Sequence, residues 1–445
     1  MHLPGEFLEF SIVMSHLAER ISPLLNAADE VREFYERYPY PPPIDDLEKY
    51  RRDWQDPQRR RAEFHLYWPG RAYRENQSIL IAGCGTSQAA KHALRWPAAQ
   101  VTGIDCSATS VRHTELLKKK YEMRNLQVQR LDVASVCDLD MSFDQVVCTG
   151  VLHHLSDPVK ALNALRTVLK PGGAMQVMVY APYGRAGIYM LQEFCRQLDI
   201  EASSREIRDL IGAVGVLPAG HPLQGLLSKA HDFRNESSLA DALLHPQDRA
   251  YSVPQFFELI AKGGLRFGRW IKQAPYSVHC GVMTKIPQSS RIARLPVAKQ
   301  YAMAELFRGT MVRHSAIVYA DGTDECTKQE LDFDGGAWLS HIPIRMPATI
   351  CVQELLTSGV VAVLINQSHS DRDLFLPISQ CEKEWFDAID GMCSIGEILD
   401  RVPSLAGRTM NFAIARTFFR QLWWHDQVVF NTSRKESCGR SCVAD

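Results

Sequence analysis

The chain predicts an α/β fold: a doubly wound, mostly parallel sheet, with a helical segment before it and a smaller α+β module after it. Three observations carry this. Residues 78–180 alternate strand and helix with little interruption, and the strands are apolar and β-branched, as strands buried on both faces are. The first strand, Ser78–Ala82 (SILIA), runs straight into Gly83-Cys84-Gly85 and then into an amphipathic segment, QAAKHALRW. The next two strands each lead to an aspartate, Asp105 in GIDCS and Asp132 in LDV.

Taken in order, residues 5–22 space their apolar side chains as a helix does, and Pro23 lies near its stop. A second helical piece, 27–37, runs into FYERYPYPPP, where Pro39, Pro41, Pro42 and Pro43 end it and leave an extended, aromatic stretch. That stretch, with Tyr35, Tyr38 and Tyr40, reads either as a clamp on the sheet edge or as a lid over a ligand. Residues 1–73 form this N-terminal segment.

The sheet domain is expected over 74–287, with strands near 78–82, 100–105, 126–131, 143–149 and 174–180. Helices are expected near 87–95, 107–122 and 156–169, with Lys170-Pro171-Gly172-Gly173 as a turn signal. A largely helical insert, 184–250, is too long for a plain crossover; a helix at 253–262 and a strand pair at 266–272 and 278–285 follow. After Pro287 the pattern changes, and residues 288–445 read as an α+β module, winged-helix-like near 380–432.

Composition excludes some classes. Fifty basic and 51 acidic residues leave no bulk pull toward nucleic acid or anionic lipid. Glu6 and Glu9 interrupt the apolar pattern at the N-terminus, so no secretory signal is expected. No apolar run is long enough for a transmembrane helix, so no membrane partner is expected. The scattered cysteines include no CxxC pair; Cys438 and Cys442 form a lone CGRSC. A cytoplasmic, reduced protein without a metal is the expectation.

The glycine turn departs from a dinucleotide site, since Gln88 stands at the third glycine of GxGxxG, and no GxxxxGK[ST] occurs. An aspartate ending the second strand accepts hydrogen bonds from both hydroxyls of a ribose. Asp132 falls where an adenine amino group would sit, with Val133 as an apolar neighbour for the ring. The alternative for Asp105 is a helix cap with Ser107. His153 and His154 are adjacent on a helix start and diverge by about 100°, which disfavours a shared metal. His154 therefore reads as packing or as a general base.

With AGCGT, GIDCS, LDV, FDQVVCTGVLHHL and LKPGG in this order, residues 74–182 resemble the class I S-adenosylmethionine (SAM)-dependent methyltransferases, with a looser match to about 285. The resemblance implies a seven-stranded-type sheet and SAM as cofactor. It implies that Ala82, Gly83, Cys84 and Gly85 form the motif that contacts the methionine part and ribose. It further implies that Asp105 takes the ribose hydroxyls, Cys106 flanks the adenine, Asp132 and Val133 bind its edge, and Thr149 and Gly150 line the sulfonium side. Two positions depart: Ile81 stands where the family usually has a carboxylate, and Ser87 where a third glycine often falls.

The expected activity is methyl transfer from SAM to a small-molecule or protein acceptor. A non-catalytic SAM-binding protein and a nucleic-acid methyltransferase are the alternatives; Arg416 and Arg420 are the only cations of 409–425, so a nucleic-acid partner is disfavoured. Catalytic candidates are His154, His245 and Tyr251. Acceptor-contact candidates are Tyr40, Tyr180, Tyr183, Arg185 and Arg249, since ligands bind at the carboxyl edge of such sheets. The oligomeric state is left open.

Overall fold

A computed structural model describes residues 29–227, 235–320, 331–354, 356, 360–402 and 408–433. The expected helix at 5–22 and the CGRSC cysteines lie outside these residues. The described residues open with helix α1 (29–37), then α2 (Glu48–Asp53) and α3 (Pro57–Tyr67). The sheet domain follows as β1 (Ser78–Ala82), α4 (Gln88–Arg95), β2 (Gln100–Asp105), α5 (Ala108–Lys120), β3 (Leu126–Arg130), β4 (Phe143–Thr149), α6 (Pro158–Thr167) and β5 (Leu169–Tyr180). The insert holds α7 (Ala186–Gln197), α8 (Ser204–Gly215), α9 (Gln224–Leu227) and α10 (Glu236–Leu243). Then come α11 (Val253–Lys262), β6 (Leu265–Trp270), α12 (Ser289–Ile292), α13 (Val297–Arg308) and β7 (Arg313–Ala320).

Seven strands form one sheet in the order β3-β2-β1-β4-β5-β7-β6, with β7 antiparallel to both neighbours. The period of two divides β1 between two cores. Leu80 and Ala82 join Val146, Leu162, Phe256 and Val318 on one face, while Ile79 and Ile81 join Ala89, Val101, Val147 and Ile317 on the other. Helices α3, α4 and α5 thus cover one face and α6 and α11 the other.

One expected strand is corrected. Residues 278–285 are not a strand; Gly281–Thr284 make a 3-10 turn, and Gly281 has φ +57°. The seventh strand is β7, which lies beyond the boundary expected at 287. The chain leaves β6, travels through α12 and α13, and returns at Arg313 to insert between β5 and β6. VHCGVM has the alternation of a strand, but a strand needs a partner, and the vacancy between β5 and β6 is filled from further along.

The remaining elements are β8 (Ile342–Arg345), β9 (Thr349–Val352), β10 (Ala362–Asn366), β11 (Phe375–Ile378), α14 (Gln380–Asp387), α15 (Ile395–Arg401), α16 (Arg408–Trp424) and β12 (Val428–Asn431). Strands β9–β11 form an antiparallel sheet, and β12 pairs with β8. Around Trp385, Phe418, Phe419 and Phe430 the module builds its own core. It is also tied to the main sheet: Arg269 Nη2 donates to Asp426 Oδ1 at 2.8 Å, a pair buried on both sides.

Candidate functional site

The strand order brings the ends of β3, β2, β1 and β4 side by side, so the candidate cofactor residues share one edge. Ala82 ends β1, Asp105 ends β2 with Cys106 next, Asp132 and Val133 follow β3, and Thr149 ends β4 with Gly150 next. In the turn after β1, Gly83 and Gly85 have φ +70° and +51°, a region open to glycine at little steric cost. The N–H groups of Gly83 and Cys84 both donate to Ile104 O at 2.9 Å, and Gly85 N–H donates to Asp105 Oδ2 at 2.8 Å. The turn therefore spends its donors internally, beside a carboxylate, and is not a phosphate cradle.

Asp105 Oδ1 accepts from Ser107 N–H at 2.9 Å, so the helix-cap role exists alongside the lock on Gly85. Each carboxylate oxygen keeps a second lone pair for a ligand hydroxyl. Burial pushes the Asp105 carboxyl above its ordinary range, against the two backbone N–H bonds that favour the charged form. Asp132 Oδ1 accepts from Ala134 N–H at 2.7 Å as an N-cap. Cys84 is fully buried, and its carbonyl accepts from Gln88 N–H at 3.1 Å. Ser87 Oγ is buried without a hydrogen-bond partner at the start of α4, next to this turn.

Both departures have a structural account. A third glycine would let α4 approach the sheet; here Gly103 of β2 provides the space, where an added Cβ would lie 2.7 Å from Ala89 Cβ. Ile81 is 2% exposed and packs into the core on the α4 face.

Two further segments roof this edge. Tyr40 O and Pro41 Cδ lie 3.1 Å from where a Cβ on Gly85 would stand, and Thr86 Oγ1 donates to Pro41 O at 2.8 Å. Glu36 caps α5, its carboxylate accepting from Ala108 N–H at 2.6 Å and Thr109 N–H at 3.0 Å. Burial opposes these bonds, yet they hold the Glu36 carboxyl below its ordinary range. Phe34 and Tyr38 pack with Ile188, Ile207, Leu210 and Leu239 of the insert. The N-terminal stretch thus spans from the insert to the glycine turn, packed as a clamp on this edge of the sheet.

Beside it, over the ends of β4 and β5, lies a buried polar cluster. Tyr35 OH and Tyr180 OH donate to the two oxygens of Asp241 at 3.1 and 3.5 Å. Arg185 lies 3.5 Å above the Tyr180 ring and 3.4 Å from Asp248 Oδ2, which also accepts from Gln192 Nε2 at 2.9 Å. His154 stacks on His245 with ring centroids 3.8 Å apart. Burial pushes His153 and His245 well below the ordinary imidazole range and raises the Asp241 carboxyl.

Of the sequence candidates, His154, His245, Tyr180 and Arg185 come together here. Tyr251 is a neighbour through its N–H to Tyr180 O at 2.9 Å, but its ring joins the sheet core. Tyr183 is 43% exposed, and Arg249 is exposed with its guanidinium 4.9 Å over the Tyr251 ring. Sequence reasoning missed Glu36 and Gln247; neither sits in a motif, and only the fold brings them to the site.

This sheet, glycine turn and pair of strand-end aspartates are those of the class I SAM-dependent methyltransferase fold. A family profile described as a methyltransferase domain matches residues 80–177. The chain is 33% identical over 250 residues to an uncharacterised protein of Synechococcus sp., covering 53% of this chain and 58% of that one. It is 38% identical over 98 residues to a ubiquinone biosynthesis O-methyltransferase of Albidiferax ferrireducens, covering 22% and 38%. These matches span less than two thirds of either relative. The solved structure of PKMT2 from Rickettsia typhi in complex with AdoHcy is similar in fold, with TM-score 0.59 and 16% identity over 88% of this chain and 77% of that one. Among the described residues no helix is long and apolar enough to cross a membrane.

Proposed function

We propose that this protein transfers a methyl group from SAM to a small-molecule or protein acceptor. The observation that carries the reading is the hydrogen bond from Gly85 N–H to Asp105 at 2.8 Å. It binds the glycine turn to a carboxylate, which suits a neutral ribose and repels a phosphate. Asp105 would hold the ribose hydroxyls and Asp132 Oδ2 the adenine amino group. Ser87 Oγ, buried and unpartnered, is a further polar group that a ligand at this turn could satisfy. The cofactor supplies an activated methyl carbon; the protein's work is to align the acceptor and exclude water. The roof of residues 34–41 and the insert suit that exclusion.

With methyl-tritiated SAM and a cell extract split into small-molecule and protein fractions, label should move into one of the two. Binding of SAM with no transfer to either fraction would favour a non-catalytic role, and label in nucleic acid would contradict the acceptor class.

A further inference from the structure

One residue of the insert sets the protons on two imidazoles. His154 Nδ1 lies 2.7 Å from Gln247 O; a carbonyl only accepts, so Nδ1 carries a proton and, in the neutral ring, Nε2 carries the lone pair. His245 is set the other way. Gln247 N–H donates to its Nδ1 at 3.0 Å, so the neutral ring carries its proton on Nε2. That Nε2 is buried without a hydrogen-bond partner, on a residue only 9% exposed. Buried polar groups are ordinarily paired, and one left open beside a ligand site asks for a ligand atom.

We propose that the niche formed by His154, His245 and Asp241 holds a hydroxyl group of the methyl acceptor, which accepts from His245 Nε2–H and gives its proton to His154 Nε2. The proposal rests on the methyltransferase reading above. A hydroxyl both accepts and donates. An ammonium only donates and would meet His245 Nε2–H head-on. A metal ion needs a lone pair that this nitrogen lacks in the same tautomer. One ring nitrogen of each histidine and one Asp241 oxygen lie within 4.8 Å of one another. Two hydrogen bonds of about 2.8 Å meeting near the tetrahedral angle at one oxygen span about 4.6 Å. The stacked rings, 31° from parallel, are also unlike two imidazoles that diverge from a shared ion.

As the acceptor's O–H bond breaks toward His154 Nε2, its oxygen forms a bond to the methyl carbon. The carbon–sulfur pair stays on sulfur, leaving a neutral thioether, and His154 then releases its proton to solvent. Asp241 stands beside the imidazolium that forms, held by Tyr35 and Tyr180. Arg185, Asp248 and the neutral His153 are the other ionisable groups of the cluster.

The test uses the full chain with 15N-labelled histidine. Two-bond nitrogen–proton spectra should show His154 as the Nδ1–H form and His245 as the Nε2–H form, and catechol added with S-adenosylhomocysteine should shift both. His245 as the Nδ1–H form, or stoichiometric zinc in the purified protein, would overturn the proposal. With tritiated SAM, catechol should be labelled, and His154→Gln should lower kcat at least 100-fold while SAM Kd stays within twofold. His245→Asn, which keeps a donor, should retain more activity than His245→Phe. Label confined to poly-L-lysine would also overturn it, whereas failure to bind SAM at all would remove the methyltransferase reading beneath it.

Discussion

Single residues decide the shape of the glycine turn. Gly83 has φ +70°, and a Cβ there would lie 2.2 Å from Val151 Cγ2. Gly85 has φ +51°, and its nearest neighbours would be 3.1 Å away. A left-handed conformation costs a non-glycine residue about 1–2 kcal/mol, and forcing a methyl into a packed core adds about 1–3 kcal/mol. Gly83→Ala should therefore destabilise by about 2–5 kcal/mol in urea unfolding, and by more than Gly85→Ala. The reverse order would show that the Tyr40–Pro41 contact constrains the turn more than Val151 does. At this scale the positions of the turn and its two aspartates were legible, because each stands at the end of a strand that the local pattern marks. Gln247 was not, since both of its functional atoms belong to the backbone and any side chain there would read alike.

Among elements, β7 marks the limit of sequence reading. Strands β1 to β5 lie close to their expected positions: β1, β2, β4 and β5 carry their own buried apolar runs, while β3, at the sheet edge, keeps only Leu126 buried. The seventh strand is equally apolar, but its place depends on β5 and β6, far back in the chain. The nearer run at 278–285 offered a hairpin, and local pattern cannot weigh one partner against another. A chain cut after residue 287 would lose β7, leaving the facing edges of β5 and β6 unpaired. Such a fragment should fail to give a cooperative unfolding transition, whereas the full chain should give one. A stable, SAM-binding 1–287 fragment would show that the late strand is dispensable.

The whole molecule carries a set of buried neutral histidines. Burial holds His65 and His425 down to about 4, and His92, His153 and His245 also fall well below the ordinary range. Their folded values are depressed, so the unfolded chain binds more protons once pH drops below the unfolded value of about 6.5. Stability is thus fully present above that pH and is lost as pH falls toward the folded values. Each such histidine removes about 1.4 kcal/mol per pH unit in that window. Denaturant unfolding should show a steep loss of stability between about pH 6.5 and 5. A flat profile there would mean these imidazoles find partners or solvent in the folded state.

Binding of SAM is the measurement that reaches the central claim most directly. Calorimetry should detect SAM binding by the full chain, and Asp105→Ala should weaken it by about 2–4 kcal/mol, roughly 30- to 1,000-fold, through loss of charge-assisted hydrogen bonds to the ribose. An Asp105→Ala protein that unfolds like the parent and binds SAM with unchanged affinity would contradict the site as drawn.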